Sequence, residues 1–363
     1  MRIALLGDLG FFGKYSLKNN KNLFDYFKEI SEVLKECDLV VGNLETPFCE
    51  NLEQNGIKSA YISSEYINVE LLKFLNISIV NLSNNHLYDY GDEGCRKTQS
   101  LLSQNNIEYF GIDNEQLLKR YAENKIAFSG YCCYSTNSLG YYNSKKGRGV
   151  NILSGKKIED ELVINNRNGF LNIASIHCGE EHINYPNYDH IELARKLAEK
   201  IPYVFYGHHP HVIQGIEKYK DSLIAYSLGN FCFDDIYTPK SKEAVIKQSI
   251  NNKESFVMVL EVENSKLKNY KILPISCDDE KMRIGNQLIL EKIKKYSKEL
   301  SLKKSEYVEK RSIFLKKYYE KRKQKRDLKW YVKRLNYKSL YLIYDLIKNR
   351  REYKKNIKKY IES

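Results

Sequence analysis

"Y206-G-H-H-P-H-V-I-Q-G215" sets three of the chain's seven histidines within four positions, directly after the apolar run Val204-Phe205-Tyr206. A polar loop closing a strand does not need imidazoles at that density, whereas a metal site does. His209 and His211 are two apart, with Pro210 stiffening the turn between them. An extended turn would aim both rings at neighbouring ions. Zinc, manganese and iron all accept imidazole and carboxylate together. Read as a strand end, this stretch points to an α/β fold, because such sheets collect functional side chains at the carboxyl ends of their strands.

The chain on either side repeats the pattern. Residues 2–6, 37–44, 78–82, 108–111, 125–131, 171–177, 203–206 and 222–227 read as strands, and 255–263 with 267–274 as a β-pair. Residues 23–35, 69–75, 94–105 and 190–200 have helical spacing. Apolar runs end in Asp8, in Asn43 and Glu45, in Asn85 and His86, in His177 and Glu181, and in His208, His209 and His211. Paired in one sheet, these positions would converge on a single rim.

Each piece also has a plainer reading. "G7-D-L-G-F-F-G13" has the glycines of a dinucleotide loop, but Phe11, Phe12 and Gly13 start a helix poorly, and Glu45 lies too far on to be its acidic partner. Asp8 is then a hard oxygen ligand or an ordinary Gly-Asp turn. "G42-N-L-E" is a ligand pair or a helix start. "N84-N-H" is an amide ligand beside a proton donor, or a capping Asn beside a surface His. Cys178 reads as a small buried thiol and His190, alone at a helix start, as solvated. Together, Asp8, Glu45, Asn85, His177, His209 and His211 make the donor set of a two-metal hydrolytic centre, in which a carboxylate bridges two cations.

Six stretches, "G7-D", "D38-L-V-V-G-N-L-E-T-P", "S83-N-N-H-L-Y-D-Y-G", "H177-C-G-E-E-H", "G207-H-H-P-H-V-I-Q-G-I-E" and "Y226-S-L-G-N-F-C-F-D", resemble in order the capsule-synthesis protein CapA family, which is similar in turn to the calcineurin-like metallophosphoesterases. The resemblance implies a four-layer α/β/β/α metallophosphoesterase-like sandwich. It implies two divalent ions (manganese, iron or zinc) held by Asp8, Glu45, Asn85, His177, His209 and His211. His86 would be the general acid or transition-state stabiliser. Asn43, Glu181, His208 and Asn230 would sit behind the ligands or against substrate. The first motif departs from Asp-x-His, having Gly10 in the third place, and Glu45 stands where the second motif has Gly-Asp. The implied function is a dinuclear metallohydrolase of capsule or surface-polymer biosynthesis, cutting a phosphoester or an amide such as a γ-glutamyl bond of poly-γ-glutamate. The alternative is a non-catalytic assembly or polymer-handling subunit on a degenerate site.

Composition divides the chain. It has 363 residues, 42% hydrophobic and 12% aromatic, which allows a real core and excludes global disorder. Eight cysteines with no C-x-x-C pair exclude a zinc ribbon or thioredoxin motif and read as reduced thiols. No apolar run reaches the ~18 residues of a membrane span, and a strand at the first residues leaves no room for a signal peptide. The expected location is the cytoplasm, peripheral at the inner face of the membrane. Residues 281–363 carry 28 Lys plus Arg against 9 Asp plus Glu, so the totals of 59 and 46 leave residues 1–280 with 31 against 37. A mildly acidic body (1–278, the CapA-like domain) thus carries a basic α-helical C-terminal extension (279–363). Leu335, Leu340, Ile343, Tyr344 and Ile347 form one apolar stripe there. Its plain reading is a helical appendage packed on the body. Its functional readings are an anionic membrane surface, an acidic polymer or capsule-synthesis proteins. Nucleic acid ranks last, for want of a recognised fold.

Overall fold

The structure is a computed structural model that describes residues 1–56, 58, 60–136, 148–237, 243–324 and 337–363. Among these are strands β1 Arg2–Leu9, β2 Leu39–Leu44, β3 Ile79–Asn81, β4 Glu108–Phe110, β5 Leu117–Tyr121, β6 Asn124–Cys132, β7 Leu171–His177, β8 Val204–His208, β9 Ile216–Tyr219, β10 Ser222–Ala225, β11 Asn230–Cys232, β12 Glu254–Glu263, β13 Lys266–Cys277 and β14 Met282–Ile284. They form two sheets rather than one. The first runs β14-β13-β12-β1-β2-β3-β4, with β11 beside the end of β1, and the second runs β5-β6-β7-β8-β10-β9.

Side-chain alternation along β1 shows why the sheets stack. Ile3 and Leu5 point to one face and Ala4 and Leu6 to the other, and all are fully buried. Ile3, Leu5, Val41 and Ile79 meet Phe128, Ile173, Val204 and Leu223 of the second sheet in a core between the sheets. Ala4, Leu6, Val40 and Val80 are covered by Ile30 and Leu34 of α2 (Lys28–Lys35), Leu71 and Leu72 of α3 (Val69–Phe74) and Leu102 of α4 (Gly91–Gln104). A short α1 (Leu23–Tyr26) precedes α2, so the single helix expected over 23–35 breaks at Phe27. On the far side, α5 (Gly155–Arg167) and α6 (Tyr188–Lys200) lay Ile158, Leu162, Ile191, Ala194 and Leu197 over Ala174, Ile176, Phe205 and Ile224. The result is four layers, α/β/β/α. Each fully buried aliphatic or Phe side chain contributes about 1.5–3 kcal/mol.

The basic extension continues with α7 (Gln287–Glu299), α8 (Lys304–Gln324) and α9 (Tyr337–Tyr353). Ile289 and Ile293 of α7 enter the core between the sheets. Leu300, Tyr307, Ile357 and Tyr360 enter the outer core beside α6. Arg311 of α8 is buried, its Nε donating to the Tyr185 carbonyl at 3.0 Å and its guanidinium to Glu180. Lys196 Nζ donates to the Tyr360 carbonyl at 2.7 Å. The extension is therefore fastened at both ends. The stripe expected to pack on the body, however, faces solvent: Leu340, Ile343, Tyr344 and Ile347 are all exposed. Leu335 lies outside the described residues. His190, expected to be solvated, is buried with its ring edge-on to Tyr353, because the returning chain covers the start of α6.

Candidate metal centre

The polar strand ends do converge, but from both sheets. Asp8 ends β1, Asn43 and Glu45 end β2, and Asn85 and His86 follow β3 in the first sheet, while His177 ends β7 and His208, His209 and His211 end β8 in the second. Within the second sheet, Gly207 lets the chain after β10 press against β8: a Cβ there would lie 1.8 Å from the Tyr226 carbonyl oxygen. The β8 turn is not extended. His209 and His211 sit at φ 92° and 57°, left-handed backbone that residues other than Gly adopt at a cost of about 1–3 kcal/mol each. Such strain persists where the surroundings over-determine it, and here it swings both rings into the site.

Two candidate ligand groups result. Glu45, His177 and His209 form one, and Asp8, Glu45 and His211 the other, with the ligand atoms of each group within 4.8 Å of one another. Glu45 belongs to both. Its Oε1 lies 3.8 Å from His177 Nε2, 3.6 Å from His211 Nε2 and 4.0 Å from His86 Nε2. Neither Glu45 oxygen has a hydrogen-bond partner among the described residues, nor does His209 Nδ1, and all three atoms are buried. Burial, reinforced by the neighbouring Asp8, pushes the Glu45 carboxyl well above the usual range. Burial likewise holds His177 well below an ordinary imidazole and takes His209 down to about 4, with adjacent rings adding to the effect. Neutral imidazoles are the form that binds metal.

The remaining residues orient this set. Asp8 is buried, which raises its pKa, but hydrogen bonding and charge from His208 win and hold it low. His208 Nδ1 is 2.9 Å from Asp8 Oδ1, and Asn43 donates to the same oxygen at 2.8 Å. Asn43 therefore holds a ligand in place. Asn230 Oδ1 contacts His211 Nδ1 at 2.8 Å, leaving Nε2 toward Glu45. Asn85 Oδ1 lies 2.7 Å from His177 Nε2. Glu181 is half-buried at the rim, and its charge acts on both Glu45 and His209.

Two residues escaped the sequence reading. Asp89 Oδ2 lies 2.7 Å from His86 Nδ1, three residues on, a spacing visible in "N84-N-H-L-Y-D". Lys58 Nζ donates to Asp89 Oδ1 at 2.6 Å and to the Asn85 carbonyl at 2.7 Å, and lies 3.4 Å from His86 Nδ1. It comes from a polar loop with no periodic signal. Cys178 is buried and its thiol is pushed up by burial, so it is not a thiolate.

An α/β/β/α sandwich whose two sheets meet at a rim of carboxylates and imidazoles defines a class of protein with a candidate metal site at its strand ends. Within it, residues 2–235 match the family described as bacterial capsule synthesis protein PGA_cap, and the chain belongs to that family. The chain is 27% identical over 263 residues to the "PGA biosynthesis protein CapA" of Bacillus subtilis (strain 168), a match spanning 67% of this chain and 66% of that protein. It is 27% identical over 277 residues to the "Capsule biosynthesis protein CapA" of Bacillus anthracis, spanning 73% of this chain and 67% of that one. Among solved structures, the calcineurin-like phosphoesterase YfkN from Bacillus subtilis aligns with a TM-score of 0.42 at 12% identity, covering 83% of this chain and 97% of the other. Among the described residues, no helix is long and apolar enough to cross a membrane.

Proposed function

We propose that the chain is a metal-dependent hydrolase of capsule or surface-polymer biosynthesis, holding two divalent ions (manganese, iron or zinc) and cutting a phosphoester or an amide such as a γ-glutamyl bond of an acidic polymer. Glu45 carries this reading. It is a fully buried carboxylate common to two ligand groups, with both oxygens lacking hydrogen-bond partners among the described residues. An unpaired buried carboxylate is strongly destabilising, and bound divalent cations would remove that cost. The names of the two capsule-biosynthesis relatives support the biological setting.

Asp8, Glu45, Asn85, His177, His209 and His211 would hold the ions. Bound there, divalent cations supply a nucleophile at neutral pH and offset charge on an anionic substrate oxygen. His86 stands over Glu45 with its Nδ1 tied to Asp89, which leaves Nε2 to meet the leaving group. Burial lowers the His86 pKa; an anionic substrate oxygen beside Nε2 would act the other way and favour the protonated ring, whose proton would go to the departing atom. Lys58 offsets the Asp89 charge and fixes the Asn85 carbonyl, so the ligand amide and the proton donor keep one orientation.

A non-catalytic polymer-handling subunit is favoured by one feature. Gly10 stands where metallophosphoesterases place a first-motif His, and a Cβ there would lie 2.6 Å from Phe233 Cδ2. Elemental analysis after reconstitution with manganese, iron and zinc separates the readings. The hydrolase reading expects about two ions per chain, lost in His209→Ala/His211→Ala. It also expects turnover of phosphoester or γ-glutamyl substrates to fall about a hundredfold or more in His86→Ala. No bound metal sinks it. Metal without turnover on any substrate leaves the subunit reading.

A further inference from the structure

Helix α9 carries an apolar face that no part of the described chain covers. Leu340, Ile343, Tyr344 and Ile347 follow i, i+3, i+4, i+7 spacing and share one stripe, yet they are 70%, 53%, 64% and 47% exposed. Leu346, on the flank, is 58% exposed. Exposed Lys348, Arg350, Arg351, Lys354 and Lys355 surround the C-terminal end of the stripe, and Asp345 is the one exposed acid among residues 343–355. The next turns are buried through Ile357 and Tyr360, so the body fixes which way the stripe points.

We propose that this face docks α9 on an anionic lipid surface. Aliphatic side chains gain by entering the acyl boundary, and flanking Lys and Arg gain from anionic headgroups at the same depth. A soluble polyanion would use the charges and find no use for the stripe. A second copy would use the stripe but set basic region against basic region, since residues 281–363 carry 28 Lys plus Arg against 9 Asp plus Glu. At 17 residues with charges along its length, α9 lies in the interface and does not span it. The proposal is independent of the metal reading.

Flotation of the full chain with phosphatidylcholine vesicles, with and without phosphatidylglycerol, tests it. Binding is expected only with phosphatidylglycerol and should weaken as salt is raised. Ile343→Glu/Ile347→Glu should weaken it at least about tenfold, with melting temperature and metal content unchanged. No flotation with the anionic vesicles overturns the proposal. So does binding that survives the double variant, which would assign attachment to charge elsewhere. A dimer in light scattering that the same variant dissolves, without vesicle binding, would assign the face to self-association and equally overturn it.

Discussion

The strand-end rim and the stripe of α9 are opposite solutions to the same constraint. At the rim, charged and polar groups are buried almost completely, and most are held by a neighbour: Asp8 by His208 and Asn43, His211 by Asn230, His86 by Asp89, Asp89 by Lys58, while the Glu45 oxygens have no hydrogen-bond partner among the described residues. On α9, aliphatic groups are exposed, with no described residue over them. The first arrangement is costly unless every partner is present. The second costs the folded chain little and leaves free energy for association. A residue out of its usual environment marks a candidate site in both places, but only at the rim does it also bear on stability.

That contrast can be broken or sharpened by measurement, starting with the largest effect. Lys58→Met leaves Asp89 buried with its Lys partner gone and should destabilise the chain by about 3–5 kcal/mol in denaturant unfolding; a loss under about 1 kcal/mol would mean that the rim is not held as a network. Ile357→Ala, where the extension rejoins the core, should cost about 2–4 kcal/mol by the same assay. A neutral result there would detach the extension from the body. His190 comes third. Burial beneath the returning chain takes its pKa down to about 4. The unfolded chain therefore takes up the proton first, and stability falls as pH drops from the ordinary 6.5 toward 4. Between about pH 7 and about pH 5 this His should account for roughly 2 kcal/mol of lost stability, a loss that His190→Phe removes in pH-resolved melting curves. Smallest is Ile343→Ala, which should shift stability by less than about 0.5 kcal/mol. A larger cost would show the stripe to be packed after all.

The strands and their polar ends were legible because both follow from local pattern, whereas the four layers came only through the family resemblance. Apolar runs that end in Asp8, Glu45, His177 and His209 give strands and strand ends without any knowledge of pairing. What stayed hidden needed distant partners. The division of those ends between two sheets depends on which strands hydrogen-bond. His190 looked solvated because Tyr353, which covers it, comes far later in the chain. The α9 stripe was readable as a face, but periodicity does not say what a face meets. Lys58 had no periodicity, and the left-handed turn at His209 and His211 is one that sequence rules reserve for Gly.

The place of β1 also sets the order in which this chain can be assembled. The first eight-residue strand pairs along one edge with β2 and along the other with β12, Arg2 opposite Glu261 and Leu5 opposite Met258, and the Met1 amino group donates to the Val262 carbonyl at 3.0 Å. On the ribosome, β1 is made long before β12 and waits with a bare hydrogen-bonding edge until residues 254–263 emerge. Contacts so distant in sequence make for slow folding, and an open strand edge in the interval is a template for pairing with another chain. Nascent-chain release before Glu254 should therefore yield an aggregation-prone product whatever the state of its strand-end rim.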